Sequence, residues 1–210
     1  MTEETEPYSF NSFWKTNLPT RNILIIILIV HIILWIITMV QATTIDFDAV
    51  YSISQDILKV VGQYNEAVYH GYIYQLFTSI FVHMDWLHLL SNCLFLLIFG
   101  LKAEDHLLSW QYYTVFIISG LMGGLLSLAW GQDAISAGAS GGIFGLLGAD
   151  MTIIYQEEKD KKFWVYLGIG AIFLAITAGP NTNFFAHTIG LVTGFLFPFI
   201  FKKRRILVQE

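Results

Sequence analysis

Ser136-Ala137-Gly138-Ala139-Ser140-Gly141-Gly142-Ile143-Phe144-Gly145-Leu146-Leu147-Gly148 is the stretch on which the reading of this 210-residue chain turns. Five of its thirteen residues are glycine, and it opens an apolar run that continues to Tyr155. A serine flanked as in Gly138-Ala139-Ser140-Gly141 sits on a sharp backbone turn with its hydroxyl uncrowded. The same tetrapeptide also fits a plain Gly/Ser-rich turn entering a helix. The rest of the chain has to decide between the two.

Composition narrows the choice first. The chain is 55% hydrophobic and 13% charged, with a mean hydropathy of +0.60. Soluble domains carry about 25% charged residues. This is the composition of a polytopic membrane protein with no room for a separate soluble domain. A net charge of -5, without a basic stripe interleaved with aromatics, argues against nucleic acid as a partner. The single cysteine, Cys93, excludes an intramolecular disulfide and reads as packing within an apolar run.

Going outward from Ser140, the apolar runs predict an all-α membrane protein with six spans, at about 23–40, 84–101, 112–130, 140–155, 163–178 and 184–201. Residues 1–20 form a polar tail, with a surface helix expected around Phe10 to Trp14. Residues 21–202 form the membrane domain, and 203–210 a basic tail. Val40-Gln41-Ala42 loosely fits a signal-peptide cleavage site. The first run is longer than a signal core of about 7–15 residues and follows an acidic tail, so it reads as a retained span. Gln41 to Val82 is the long connection. It carries Asp46, Asp48, Asp56 and Glu66 among Phe47, Tyr51, Tyr64, Tyr69, Tyr72 and Tyr74, which predicts a structured loop at the membrane interface. Gly120, Gly123 and Gly124 in the third span allow a neighbour to come close.

With six spans, Lys15, Arg21, Lys102, Lys159, Lys161, Lys162 and the Lys202 to Arg205 cluster share one side, and Lys59 falls on the other. The positive-inside rule makes the first side cytoplasmic. Both termini are then cytoplasmic, and the long loop, the turn before Ser140 and the Asn181 to Asn183 turn face outward.

Helix rise converts sequence position into depth. Ser140 precedes Glu157 by 17 residues, His187 precedes Lys202 by 15, and His88 precedes Lys102 by 14. These offsets put the three at roughly 25, 23 and 21 Å above the cytoplasmic edge of a core about 30 Å thick. Asn92 is one turn below His88 on the same face. Polar groups inside a membrane are costly and usually mark a working site. A lone intramembrane histidine such as His31 fits a satisfied structural role, whereas four polar residues at one depth point to chemistry.

A serine hydroxyl becomes a nucleophile when a base takes its proton. His187 can be that base, because Ala186, Gly190 and Gly194 repeat small residues at every fourth position and Gly141 and Gly145 do the same on the serine's span. Two such faces let backbones pack closely. His88, Asn92 and the Ser140 backbone N–H are candidate donors to an oxyanion. Asp150, ten residues below Ser140, is too deep to be a third triad member, so a Ser–His dyad is expected. Zinc is the competing chemistry. His83 and His88 lie five apart, about 140° round a helix, and the His-Glu-x-x-His arrangement is absent. No metal or other cofactor is expected.

These residues resemble those of the rhomboid family of intramembrane serine proteases, over about Arg21 to Phe201. The resemblance rests on Gly138-Ala139-Ser140-Gly141, on His83-x4-His88-x3-Asn92, on Ala186-His187-x2-Gly190-x3-Gly194, and on Gly100-x3-Glu104 at the inner end of span two. It implies a six-helix bundle with a water-filled cavity open to the outside, Ser140 as nucleophile and His187 as general base. It further implies His88 and Asn92 as oxyanion donors, His83 supporting the cavity roof and Phe144 packing against His187. The implied substrates are single-span membrane proteins cut in or near the transmembrane segment, with span five and its loop as the gate. One departure bears on the loop's anchor: the family often has Trp-Arg where this chain has Tyr74-Gln75.

The expected function is therefore a serine endopeptidase acting within the bilayer, in the cell membrane. A non-catalytic binder of transmembrane helices and a small transporter are the alternatives. A non-catalytic relative would normally lack Ser140 or His187. Transporters often carry internal repeats, which this sequence lacks.

Overall fold

A computed structural model describes residues 18–42, 47–157, 162–177 and 184–201. The expected tail helix, Lys15, Lys159, Lys161, the Asn181 to Asn183 turn and the basic C-terminus lie outside those residues.

Six long helices dominate the described residues: α1 (Leu18–Gln41), α6 (Trp86–His106), α7 (Ser109–Ser127), α8 (Ser140–Glu157), α9 (Lys162–Thr177) and α10 (Phe184–Ile200). Four short helices fill the long connection: α2 (Phe47–Tyr51), α3 (Gln55–Val61), α4 (Asn65–Tyr69) and α5 (Gln75–Thr78). Two of the helices, α1 and α6, are long and apolar enough by themselves to cross a membrane. The helices α1 and α6 overrun the expected apolar runs at polar ends, Pro19 to Asn22 and Lys102 to His106. Hydropathy reports depth in lipid, while a helix continues as long as its backbone bonds do; Pro19 suits a helix's first turn.

Among the described residues the regular structure is helical except for one small antiparallel pair and an isolated bridge between Ser52 and Asp85. Strand β1 (Gln63–Tyr64) joins β2 (Ile135–Ser136), with Gln63 opposite Ser136 and Tyr64 opposite Ile135. Two-residue strands leave no alternating pattern in the sequence, so an all-α reading misses them.

Helix α8 is the centre of the molecule. Every residue from 139 to 152 is buried. Its glycines make this possible. Gly142 lies against Phe116 and Gly145 against Ser119 on α7, and the Gly190 and Gly194 backbones rest on the Gly141 and Gly145 carbonyls. A Cβ at Gly194 would overlap the Gly145 carbonyl, and one at Gly148 would overlap the Leu191 carbonyl. The α8–α10 seam is thus backbone on backbone. At the periphery, α1 buries the stripe Ile23, Ile27, His31, Leu34 and Thr38 and exposes Ile25, Ile26, Ile29, Ile32, Ile33 and Ile36. An apolar exterior on this scale belongs to a membrane protein, whose solvent is hydrocarbon.

The long connection is anchored by amides. The Gln75 side chain donates to the Lys59 and Val60 carbonyls (2.8 and 3.2 Å) and accepts the Tyr64 N–H (2.8 Å). The Tyr74 hydroxyl donates to the Val60 carbonyl at 3.0 Å. Gln63 Nε2 reaches Asn65 Oδ1, the Gly124 carbonyl and Ser127 Oγ, and Asn65 Nδ2 reaches the Gly131 carbonyl. A buried, neutral glutamine therefore stands where the resemblance led one to expect an arginine, and it satisfies the loop's carbonyls without a charge.

Candidate active site

The turn that carries Ser140 is set by its neighbours on three sides. Strand β2 fixes its start through β1. The Gly138 N–H then donates to the Ser79 carbonyl at 2.9 Å. Gly138 has φ +130°, a conformation that L side chains rarely adopt, and a Cβ there would stand 2.8 Å from His88 Cε1 and Nε2. Glycine is required on both counts. The Ala139 N–H points to His83 Nε2 at 3.4 Å. With Gly138 and Ala139 so held, Ser140 opens α8.

His187, in the first turn of α10, faces Ser140 across the glycine seam. Its Nε2 lies 2.8 Å from Ser140 Oγ, and both side chains are buried. That separation is hydrogen-bond reach for a nucleophile and its base. The imidazole is held by aromatic faces. Phe144 packs on it at 4.9 Å between ring centroids, and Phe173 of α9 lies behind at 6.3 Å. Phe173 stacks in turn on Phe144 at 4.7 Å and on Phe95 of α6 at 3.9 Å. Among the described residues, His187 Nδ1 has no hydrogen-bond partner, so no carboxylate orients the ring from behind.

Helix α6 presents the remaining polar groups. Asp85 caps it, accepting the His88 N–H at 2.8 Å, which fixes the turn from which His88 projects. The His88 ring covers Gly138 and meets His83 edge to face at 5.2 Å. Asn92 is buried; its Nδ2 donates one hydrogen to the His88 carbonyl at 2.8 Å and has a second to offer. His83 lies outside any helix, between a 3-10 turn (Ser79–Phe81) and α6.

The structure thus brings Ser140, His187, His88, His83 and Phe144 into one cluster, with Asn92 one turn below His88. Glu104 lies at the other end of α6, where it accepts the Thr20 N–H at 2.8 Å at the start of α1. His31 is buried edge-on against Trp86 at 4.6 Å. Sequence reasoning singled out Tyr74-Gln75 as bearing on the loop's anchor but not how Gln75 holds it, and did not find Gln63 or Asn65, whose hydrogen bonds tie the loop to the end of α7 and the turn after it. Nor did it find Phe173, one aromatic in an apolar run, which carries no pattern to distinguish it.

The Rhomboid domain's sequence profile matches residues 70–204. Similar proteins include RHOMBOID-like protein 1 of Arabidopsis thaliana, 35% identical over 61% of this chain and 34% of that protein. They also include YdcA of Bacillus subtilis (strain 168), 30% identical over 67% of this chain and 73% of that one. Rhomboid-like protease 3 of Toxoplasma gondii is 26% identical over 80% of this chain and 65% of its own length. The chain spans 34 to 45% of the length of the first plant relatives it matches. A domain match over more than half of the chain, spanning the histidines and the serine-bearing turn just described, assigns it: the chain belongs to the rhomboid family.

Proposed function

We propose that the chain is an intramembrane serine endopeptidase that uses Ser140 and His187 as a dyad. The observation that carries this reading is the 2.8 Å approach of His187 Nε2 to Ser140 Oγ, between two helices that only glycine lets come so near. The names of relatives such as Rhomboid-like protease 3 support it.

In the proposed reaction His187 Nε2 accepts the Ser140 proton as Oγ attacks the peptide carbonyl. The oxyanion takes hydrogen bonds from the Ser140 N–H, at the start of α8, and from His88 and the second Asn92 hydrogen. The protonated imidazole then donates to the leaving amine, giving an acyl-enzyme. Water deprotonated by His187 releases the second product. The Phe144 and Phe173 faces keep the ring aligned in the absence of a triad carboxylate.

The membrane arrangement belongs to the same reading. All six long helices cross the bilayer, residues 1–20 and 203–210 are cytoplasmic tails, and residues 21–202 are the membrane domain. The protein resides in the cell membrane. Its substrates are single-span membrane proteins, which enter between α6 and α9 past the Phe95–Phe173 stack. Incubation of a labelled single-span substrate with wild type, Ser140→Ala and His187→Ala protein tests this. Cleavage by wild type alone is expected; cleavage by Ser140→Ala would dismiss the dyad.

A further inference from the structure

Asp150 and His106 have no part in the chemistry described so far, yet Asp150 is buried and the His106 side chain is largely covered. His106 Nδ1 stands 2.5 Å from Asp150 Oδ1, with side-chain exposures of 7% and 2%. The pair joins the inner end of α6 to α8, ten residues below Ser140. A carboxylate at this depth is costly unless it is paired, and it persists where the pairing does something.

The layout of polar ties along α8 indicates what that is. At its outer end, α8 and the turn before it are held by Ser140 Oγ to His187 on α10, by Ala139 N–H to His83 and by Gly138 N–H to Ser79. At its inner end, Asp150 bonds His106 of α6. Two residues on, Thr152 shares its hydroxyl proton between the Gly148 carbonyl of its own helix (2.9 Å) and the Phe195 carbonyl of α10 (3.0 Å). Between these ends α8 presents glycine and apolar side chains, Phe144 among them, and no further polar tie among the described residues. Smooth glycine faces let α8 come close to α10, but they offer few knobs to stop it sliding along its axis. The inner ties supply that stop, toward the same two helices whose outer ends carry His88 and Asn92 (α6) and His187 (α10).

We propose that Asp150 and His106, assisted by Thr152, are positioning residues that set the depth of α8, so that Ser140 meets His187 and the α6 donors together. The effect on reactivity rests on the protease reading; the effect on the Ser140–His187 contact does not. Asp105 lies at the same end of α6 and pairs with Lys102 at 3.1 Å, but its side chain is 63% exposed, so it controls for charge at that end.

Two readouts test this on the full chain in detergent micelles, below each variant's melting temperature. The first is the His187 ring-nitrogen signal of protein carrying 15N-histidine. The second is the rate constant for covalent labelling of Ser140 by a fluorophosphonate, per folded molecule. Asp150→Leu keeps the number and branching of the side-chain heavy atoms and removes the acceptor. It is expected to shift the His187 signal and slow labelling roughly 10- to 100-fold, the effect of about an ångström of misplacement. Asp150→Asn, which keeps Oδ1, should restore both; Thr152→Val should give a smaller loss in the same direction; Asp105→Ala should change neither. A folded Asp150→Leu protein with the wild-type His187 signal, or labelled at the wild-type rate, overturns the inference. Should wild type itself resist labelling, the protease reading falls, and the His187 signal alone decides the positioning role. If Asp150→Leu does not fold, the same two readouts on Thr152→Val decide, and wild-type values there overturn it.

Discussion

At the residue scale the site depends on a neutral imidazole. His187 can take the Ser140 proton only while Nε2 is unprotonated, and no partner for Nδ1 among the described residues stands ready to stabilise a cation. Reactivity should therefore be absent in acid, rise with pH as the ring deprotonates, and then level off. A pH series of fluorophosphonate labelling rates reads this directly, and a flat profile would contradict a histidine base. Gly138 is the second residue on which the site turns. A Cβ there would stand 2.8 Å from the His88 ring, on a backbone with φ +130°. Gly138→Ala should lose about 1–3 kcal/mol of stability from backbone strain. Its labelling should slow by roughly 100-fold as the turn shifts. Thermal unfolding and labelling of the purified variant measure both.

At the element scale two contacts organise the rest. The α8–α10 seam is the first. Gly194→Ala puts a methyl into the Gly145 carbonyl, and overpacking of this kind costs about 1–3 kcal/mol. The helices should part, lengthening the Ser140–His187 contact, so both thermal midpoint and labelling should fall; a variant with wild-type values would mean that the seam has slack. The second contact is the loop anchor. Gln75→Leu strands the Lys59 carbonyl and the Tyr64 N–H, at about 1–3 kcal/mol for each group left unpaired, while the Val60 carbonyl keeps the Tyr74 hydroxyl. Gln75→Arg should recover only part of this, because a guanidinium can donate to the carbonyls but cannot accept the Tyr64 N–H. Comparison of the two midpoints in detergent checks the order.

At the scale of the whole molecule, much of the architecture was readable in advance, for a physical reason. The apolar runs locate the long helices because lipid demands apolar side chains over a known length. Glycine at every fourth position announces close packing because only the lack of a side chain permits it. Ser140, His88 and His187 stood out because polar groups are rare at that depth. The β1–β2 pair was not legible, since two residues carry no period, and Gln75 was legible only as a departure at the loop's anchor, since a glutamine's identity does not show which carbonyls it faces. Asp150 was conspicuous but its partner was not: His106 lies past the apolar run, and only the folded chain brings it to α8. The account as a whole stands on the reactivity of one hydroxyl. Labelling of the intact protein with a fluorophosphonate, followed by mass identification of the modified residue, tests it most directly. The account predicts a single adduct, on Ser140, that is lost in His187→Ala; folded wild-type protein without an adduct on Ser140, or an adduct undiminished by His187→Ala, would contradict it.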